Sequence, residues 1–434
     1  MTRRLRPAWR RLALAVALAV PALPAPALDL QWSGFGTLGY AQSNRPYAWQ
    51  RSVTDDGSFE RDTVMGLQAD LRLSTEWSAT VQARLAQDGK KDHAWSPTIA
   101  WAFVAWRPDN DWLLRAGRFR VPMFLFSETQ DIGTAHDMAL LPNDSYSLNP
   151  TSDFNGLYGT HTWQIGAREL SADLYAGRAG ATYRYWLQDG VPGLVAPGPL
   201  YNDVQVRAKG LVLTLRDPTL TMRVGVHQVR VRSEDYDVPA VNYPYVDLGN
   251  GLGYWQVTNL LPGPGLETTD SVRVKVYVAG ADWNVDGRWR VIGEAVVFEQ
   301  DNTAFGVGGK AGYLNVSRRI GKFTPYVTIS RTLSAASQRE WAQRLRSVDL
   351  PAAVPGAAMI NATQRMAADT TVNWDHRSLA LGASYALAPN VKLKGEWMRT
   401  RIGAGTGSAS LLPGMAYPSH SRIDVLSLNL NFDF

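Results

Sequence analysis

The chain has 434 residues, 45% hydrophobic and 19% charged, with 16 Trp, 17 Tyr and no Cys. The lack of Cys excludes a disulfide scaffold, and beyond the N-terminus no stretch approaches the roughly 20 apolar residues of a membrane-spanning helix. The formal charge of +5 belongs to residues 1–27, which hold five arginines and no acid; the remainder is neutral and gives no argument for nucleic-acid binding.

The chain opens on Arg3, Arg4, Arg6, Arg10 and Arg11, followed by an apolar run at 12–20 and small residues at Ala25 and Ala27. This is the pattern of a secretory signal peptide cleaved after Ala27. Residues 28–434 contain no linker and are expected to form one unit. Period-2 alternation predicts strands at about 30–41, 62–73, 77–86, 96–106, 112–118, 154–163, 168–177 and 203–216. It continues at about 219–232, 269–284, 288–300, 306–318, 322–332, 371–387, 391–402 and 421–434, sixteen in all. The segments near 154–202 are the least regular and leave counts of 14 or 18 open.

The connections alternate in length. Short ones, such as S-T-E (74–76), D-P (217–218), V-D-G (285–287) and A-P-N (388–390), have tight-turn composition. Long ones fall near 42–61, 119–153, 178–202, 233–268, 333–370 and 403–420. A membrane barrel with short turns at one end and long loops at the other predicts this alternation.

Charge assigns the strand faces, because a basic side chain on the lipid face costs about 2–4 kcal/mol at the bilayer midplane. On this rule Val272, Val274, Val276 and Val278 face lipid, with Arg273 and Lys275 inside. Likewise Ile99, Trp101 and Phe103 face lipid, and Lys392, Lys394 and Glu396 face the lumen. The expected wall bases are Arg84, Arg115, Arg207, Lys209, Arg223, Arg273, Lys275, Lys392 and Lys394. This requires bulges near Lys209–Gly210 and Gln228–Val229. The last strand alternates Leu426, Leu428, Leu430, Phe432 and Phe434 with polar residues.

That final strand closing on Phe434 resembles the assembly signal of Gram-negative outer-membrane barrels, carried by Leu430, Phe432 and Phe434. With the opening L-Q-W-S-G-F-G-T-L-G-Y and the R-A-G-R-F-R-V-P-M-F at 115–124, the chain resembles the sixteen-stranded general and phosphate-selective porins. The resemblance implies an all-β, transmembrane antiparallel β-barrel with short periplasmic turns, long extracellular loops and an inward-folded third loop. It implies a homotrimer in the outer membrane, in contact with lipid, lipopolysaccharide and the barrel-assembly machinery, and passing small hydrophilic solutes. No cofactor or metal is implied.

The constriction-loop candidate is 119–153, with Glu128, Asp131 and Asp137 as its acids. A short helix capped by Ser127 is expected, anchored by Val121, Met123, Phe124, Leu125 and Phe126. Acids on the loop facing bases on the wall would set up a transverse field across the pore. The alternatives are an anion-selective channel for phosphate or carboxylates, and an outer-membrane enzyme or adhesin using loops 233–268 and 333–370. The G-x-G-x-x-G at Gly34–Gly39 lies within a strand with no helix after it, and is read as wall packing rather than a dinucleotide site. His136–Asp137 is read as a solvated loop pair rather than a catalytic one.

Overall fold

The computed structural model describes residues 29–148, 151–234, 238–239, 243–300 and 308–434; the signal-peptide segment lies outside them. Sixteen strands form one closed antiparallel barrel. In chain order they are β1 (Asp29–Ser43), β2 (Val64–Arg72), β3 (Trp77–Gln87), β4 (Trp95–Trp106), β5 (Trp112–Arg120), β6 (Asp153–Ile165), β7 (Arg168–Leu187) and β8 (Gly198–Arg216). The rest are β9 (Leu220–Ser233), β10 (Ser271–Asn284), β11 (Trp289–Gln300), β12 (Gly308–Arg318), β13 (Phe323–Ser334), β14 (Trp374–Ala388), β15 (Val391–Thr406) and β16 (Arg422–Asp433). Each strand pairs with its neighbours in sequence, so every barrel hydrogen bond is made within the cylinder and no strand edge meets lipid.

β16 closes the cylinder against β1, with Leu430 opposite Leu38, Phe432 opposite Gly36 and Phe434 bonded through its backbone to Gly34. The glycines matter here. A Cβ at Gly34 would lie 2.4 Å from the Phe434 ring and one at Gly36 2.4 Å from the Phe432 ring. The G-x-G of β1 is therefore a pair of seats for two rings.

The outward faces are apolar in the middle: Val81, Leu174, Val224, Val226, Leu314, Ile329, Leu381 and Leu428 are all exposed. At the short-turn end this band ends on exposed Trp32, Trp77, Trp112, Trp163, Trp283, Trp289, Phe323 and Tyr385. Amphipathic rings favour the level where hydrocarbon meets headgroups.

Two of the expected strand faces are corrected. In β4 the register slips between Gln82 and Ala83 of its partner, leaving Ala100 as an extra residue. Ile99 therefore points out, whereas Phe103 packs among the interior residues. In β10 the valines point inward: Val276 and Val278 are buried in the interior cluster with Val272 and Val274 against it, and Tyr277 is exposed outside.

The expected bulges near 209–210 and 228–229 are absent, since the β7–β8, β8–β9 and β9–β10 registers run unbroken there. Bulges there would keep Arg207 and Lys209 inside. With continuous parity, Arg207, Lys209, Arg273 and Lys275 share the outward face of Leu211, Leu213, Val226 and Tyr277. Charge is a guide to the lumen only at mid-membrane, because the penalty for an outward base falls to about 0–1 kcal/mol near the interface.

At the long-loop end the connection 335–373 contains two helices that the strand-based reading omits, Ala336–Arg346 and Ala357–Thr370. Their buried positions recur at helical spacing, with Trp341 and Leu345 on one and Ile360, Gln364 and Ala368 on the other. The β7–β8 hairpin leans onto neighbouring loops. Arg184 pairs with Asp92 at 2.7 Å, Trp186 Nε1 donates to Leu411 O, and Gln188 N donates to Asp369.

Candidate functional site: a loop folded into the barrel

Residues 121–148 leave β5 and run through the interior, and 151–152 lead into β6. The two ends are clipped together at the wall. Val121 N donates to Ser152 O, and buried Arg120, 2% exposed, donates from Nε to Asp153 at 2.9 Å and reaches Asp131 with Nη2 at 2.9 Å.

The first stretch is held by apolar burial. Val121, Met123 and Phe124 pack among inward-facing Tyr158, Tyr175, Val206, Val231, Val276 and Val278. Fully burying such side chains contributes about 1.5–3 kcal/mol each. The polar backbone beside them is satisfied by the wall: Arg223 donates to Phe124 O at 2.5 Å, and Leu125 N donates to Glu294 at 2.5 Å. Glu294 also accepts from Tyr146 and Tyr313, each at 2.7 Å.

The expected helix after Ser127 does not form. Turns occupy 125–131, followed by one 3-10 turn, Gly133–Ala135. Ser127 Oγ accepts from Phe124 N behind it, at 2.8 Å, rather than capping a helix ahead of it.

The middle of the loop crosses to the opposite wall and sits on the seam where β16 meets β1 and β15. Lys394 Nζ donates to Gly133 O and Met138 O at 2.7 and 2.9 Å, and Asn429 donates to Ala139 O. Tyr326 Oη accepts from Ala139 N. Gly133 is required by contact: a Cβ there would lie 2.1 Å from Asn431 and 2.8 Å from Thr37. His136 is buried rather than solvated, with Nε2 2.9 Å from Thr129 O. Burial, together with nearby Lys394, Arg290 and Lys392, pulls its pKa down to about 4.

A one-turn helix, Asn143–Tyr146, then places Asp144 against β13 and β14. The carboxylate is 2.8 Å from His376 Nε2 and accepts from Ser378 and Ser330. Thr332 donates to the Asp144 carbonyl at 2.8 Å. Burial alone would raise the Asp144 pKa, but His376 and the serine hydroxyls outweigh it and hold it low.

The three expected loop acids all lie inside, each beside an expected wall base. Glu128 meets Arg115 at 3.1 Å, Asp131 meets Arg84 at 3.1 Å and Asp137 meets Lys392 at 3.0 Å. Burial works to raise Asp131 and Asp137, but the adjacent cations bring both below the ordinary carboxylate range. Acid and base are in contact rather than opposed across an aperture, so these pairs fix the loop and largely cancel one another's field. Arg223 and Lys394 are also interior, but they hold loop carbonyls. Arg207, Lys209, Arg273 and Lys275 are outside.

The residues that the sequence reading overlooked are mostly polar partners on the wall: Glu294, Tyr313, Tyr326, His376 and Asn429. Their inward parity was readable. Their destination was not, because it depends on the path of the loop.

A closed sixteen-stranded barrel, an apolar band ending on aromatic rings, and the third connection at the long-loop end folded inside define the outer-membrane porin fold. Among solved structures the chain is similar to an anion-selective porin from Comamonas acidovorans, with 11% identity over 94% of this chain and 100% of that one, and a TM-score of 0.51. It is likewise similar to the outer membrane channel DcaP of Acinetobacter baumannii, with 10% identity over 94% and 97% and a TM-score of 0.50. At such identities the likeness is one of fold. No family model matches the sequence, and no curated protein is significantly similar to it.

Proposed function

We propose that this protein is a Gram-negative outer-membrane porin, a water-filled channel for passive diffusion of small hydrophilic solutes and ions, with 121–152 as its constriction. The observation that carries this reading is the loop pinned at both walls inside a closed, lipid-compatible cylinder. Glu128, Asp131, Asp137, Arg84, Arg115 and Lys392 border the passage as paired charges, so weak ion selectivity is expected rather than the strong preference of a phosphate or carboxylate channel. Assembly as a homotrimer belongs to the same proposal.

Single-channel recording in a planar bilayer under a KCl gradient tests it. Ohmic steps with a reversal potential near zero are expected. A strong anion preference blocked by phosphate would favour the selective channel. Absence of conductance from folded protein would overturn the channel reading.

A further inference from the structure

One hairpin does not stop at the rim of the barrel. β7 and β8 pair with each other as far as Leu187 opposite Gly198. β6 pairs with β7 only as far as Arg178, and the register of β8 with β9 ends at Val204. Beyond those points the two strands run on as a free ribbon. Its tip is a tight turn, Val191-Pro-Gly-Leu194, in which Leu194 N donates to Val191 O at 3.0 Å and Gly193 has φ +73°. Proline second and a positive-φ glycine third are what a type II turn demands. The nine residues 179–187 that β7 adds past β6 reach roughly 30 Å at about 3.3 Å each. Sixteen strands about 4.8 Å apart and tilted near 40° close a cylinder about 30 Å across. The ribbon is as long as the mouth is wide.

Its contacts lie on the far side. β15 and β16 stand eight strands round the cylinder from β7 and β8, half the circumference. Their connection, 407–421, bends inward, with Leu411 packed among Ile402, Ile423 and Val425. Arg184 of the ribbon reaches Ser410 Oγ at 3.2 Å, and Trp186 Nε1 donates to Leu411 O at 2.6 Å. Gln188 Nε2 donates to the carbonyls of Leu412 and Met415. The ribbon is also tied sideways. Asp92, in the connection 88–94, is 2.7 Å from Arg184 and 2.7 Å from Arg51 of the first long loop. On the other flank Gln188 N donates to Asp369, and Asp189 pairs with Arg365 at 3.2 Å. Leu187 and Val191 are buried although they stand beyond the barrel wall.

The sector between β9 and β14 is covered by a second block. Residues 243–265 pack on the helices Ala336–Arg346 and Ala357–Thr370, through Tyr254 and Leu261 against Leu350 and Ile360, and through the rings of Tyr243 and Trp255 against Trp341. The Gln364 side chain takes the place of a neighbouring strand. It accepts from Trp255 N at 3.1 Å and donates to Trp255 O at 2.7 Å. Loops that merely lay on the membrane around the rim would make none of these bonds.

We propose that the β7–β8 hairpin is a fixed crossbar over the long-loop mouth and makes that mouth a second solute filter, in series with the loop 121–152. The filter selects by bulk. Its charged groups are paired, Asp92 with Arg184 and Arg51, and Asp189 with Arg365, so they largely cancel one another's field. What remains is an obstacle that compact polar solutes pass and bulky ones do not. The inference rests on the channel reading.

The test is polymer exclusion by the full barrel in a planar bilayer, with neutral polyethylene glycols of graded size added to one face at a time. In the unaltered protein the long-loop face should stop admitting polymer at a smaller size than the short-turn face. Tyr183 lies opposite Asn202, so residues 184–201 can be replaced by a two-residue asparagine–glycine turn. That variant should lose the asymmetry and conduct up to about twofold better, the limit for opening one of two similar narrowings in series. An unchanged cut-off and conductance in the variant overturn the proposal. So does equal polymer access from both faces of the unaltered protein.

Should the shortened hairpin not fold, the full-length barrel still decides the matter. The chain has no Cys, so Asp189→Cys with Arg365→Cys gives a single pair for a bifunctional thiol reagent. Cross-linking with unchanged conductance is expected, because the crossbar already lies in place. Failure to cross-link, or a fall in conductance on cross-linking, refutes the assignment. No conductance from any folded form would instead remove the channel reading beneath it.

Discussion

Arginine and lysine occupy two regions of this barrel under opposite rules. In the lumen each base at the loop faces an acid or a carbonyl: Arg84 faces Asp131, Lys392 faces Asp137, and Arg223 faces Phe124 O. On the outer rim base faces base, as along Arg331, Arg377, Arg401 and Arg422. Inside, partners are supplied by the chain and the loop is fixed. Along this row the chain supplies repulsion, whereas directly beside it Arg399 pairs with Asp424 at 2.8 Å. A base in this sequence therefore carries no meaning until its face is known.

The largest break in that comparison is expected at Asp144. Asp144→Ala removes a buried carboxylate from His376, Ser330 and Ser378, a class of change costing about 3–5 kcal/mol. The far end of the loop should detach while the barrel stays closed, giving larger and noisier conductance steps and new proteolytic cleavage within 121–152. Next is Asp131→Asn, which leaves Arg120 buried with Asp153 alone and Arg84 without its partner. Loss of about 2–4 kcal/mol of docking is expected, measured by faster hydrogen exchange at 128–139.

Acid distinguishes the loop from the roof above it. His136 is held neutral, with its pKa at about 4 against about 6.5 when free. The docked loop therefore binds fewer protons, and its stability falls as pH drops through the window from 6.5 to 4. Asp131 and Asp137, with depressed pKa values, give way only below the ordinary carboxylate range. At the roof, burial would raise Asp92, but Arg184 and Arg51 bring it to about 2, so that latch persists until pH falls through about 2. Conductance recorded from pH 7 to 4 should show loop fluctuations that His136→Gln suppresses.

Smaller effects sharpen the contrast. Glu128 is half exposed, so Arg115→Gln should cost under about 1 kcal/mol yet move the reversal potential toward cation preference. Smallest, and opposite in sign, is Arg377→Glu. Placed between Arg331 and Arg401 it turns two repulsive pairs into attractive ones, and should raise the unfolding midpoint in neutral detergent by about 0.5–1 kcal/mol equivalent. A lowered midpoint would count against repulsion along the row.

The architecture was legible because a barrel repeats one signal. Period 2, tight turns at alternate connections and the closing Leu426–Phe434 alternation each point to the same cylinder, and the R-A-G-R-F-R-V-P-M-F stretch marks where the third loop departs. Faces were legible at mid-membrane, as at Val81, where a charge is expensive. At the rim the penalty fades, and Arg207, Lys209, Arg273 and Lys275 were assigned inward although their own strands carried them out. The Ala100 bulge has no local mark, since the extra residue is an alanine between two apolar neighbours. The loop's acids could be found by position, but their partners could not, because Asp137 and Lys392 are 255 residues apart in sequence.

Gly133 connects the loop to the history of the molecule. Its neighbours, Thr37 and Asn431, belong to the first and last strands and face each other across the closing seam. Until those strands zip together the floor on which the loop rests does not exist, although Val121, Met123 and Phe124 already have theirs on β6 to β11. The Gly133 seat is therefore complete only once β16 has paired with β1, so the full docking of the loop at that point depends on closure. A barrel left open along that seam would hold its loop loosely at Gly133 and conduct as a wider, leakier one.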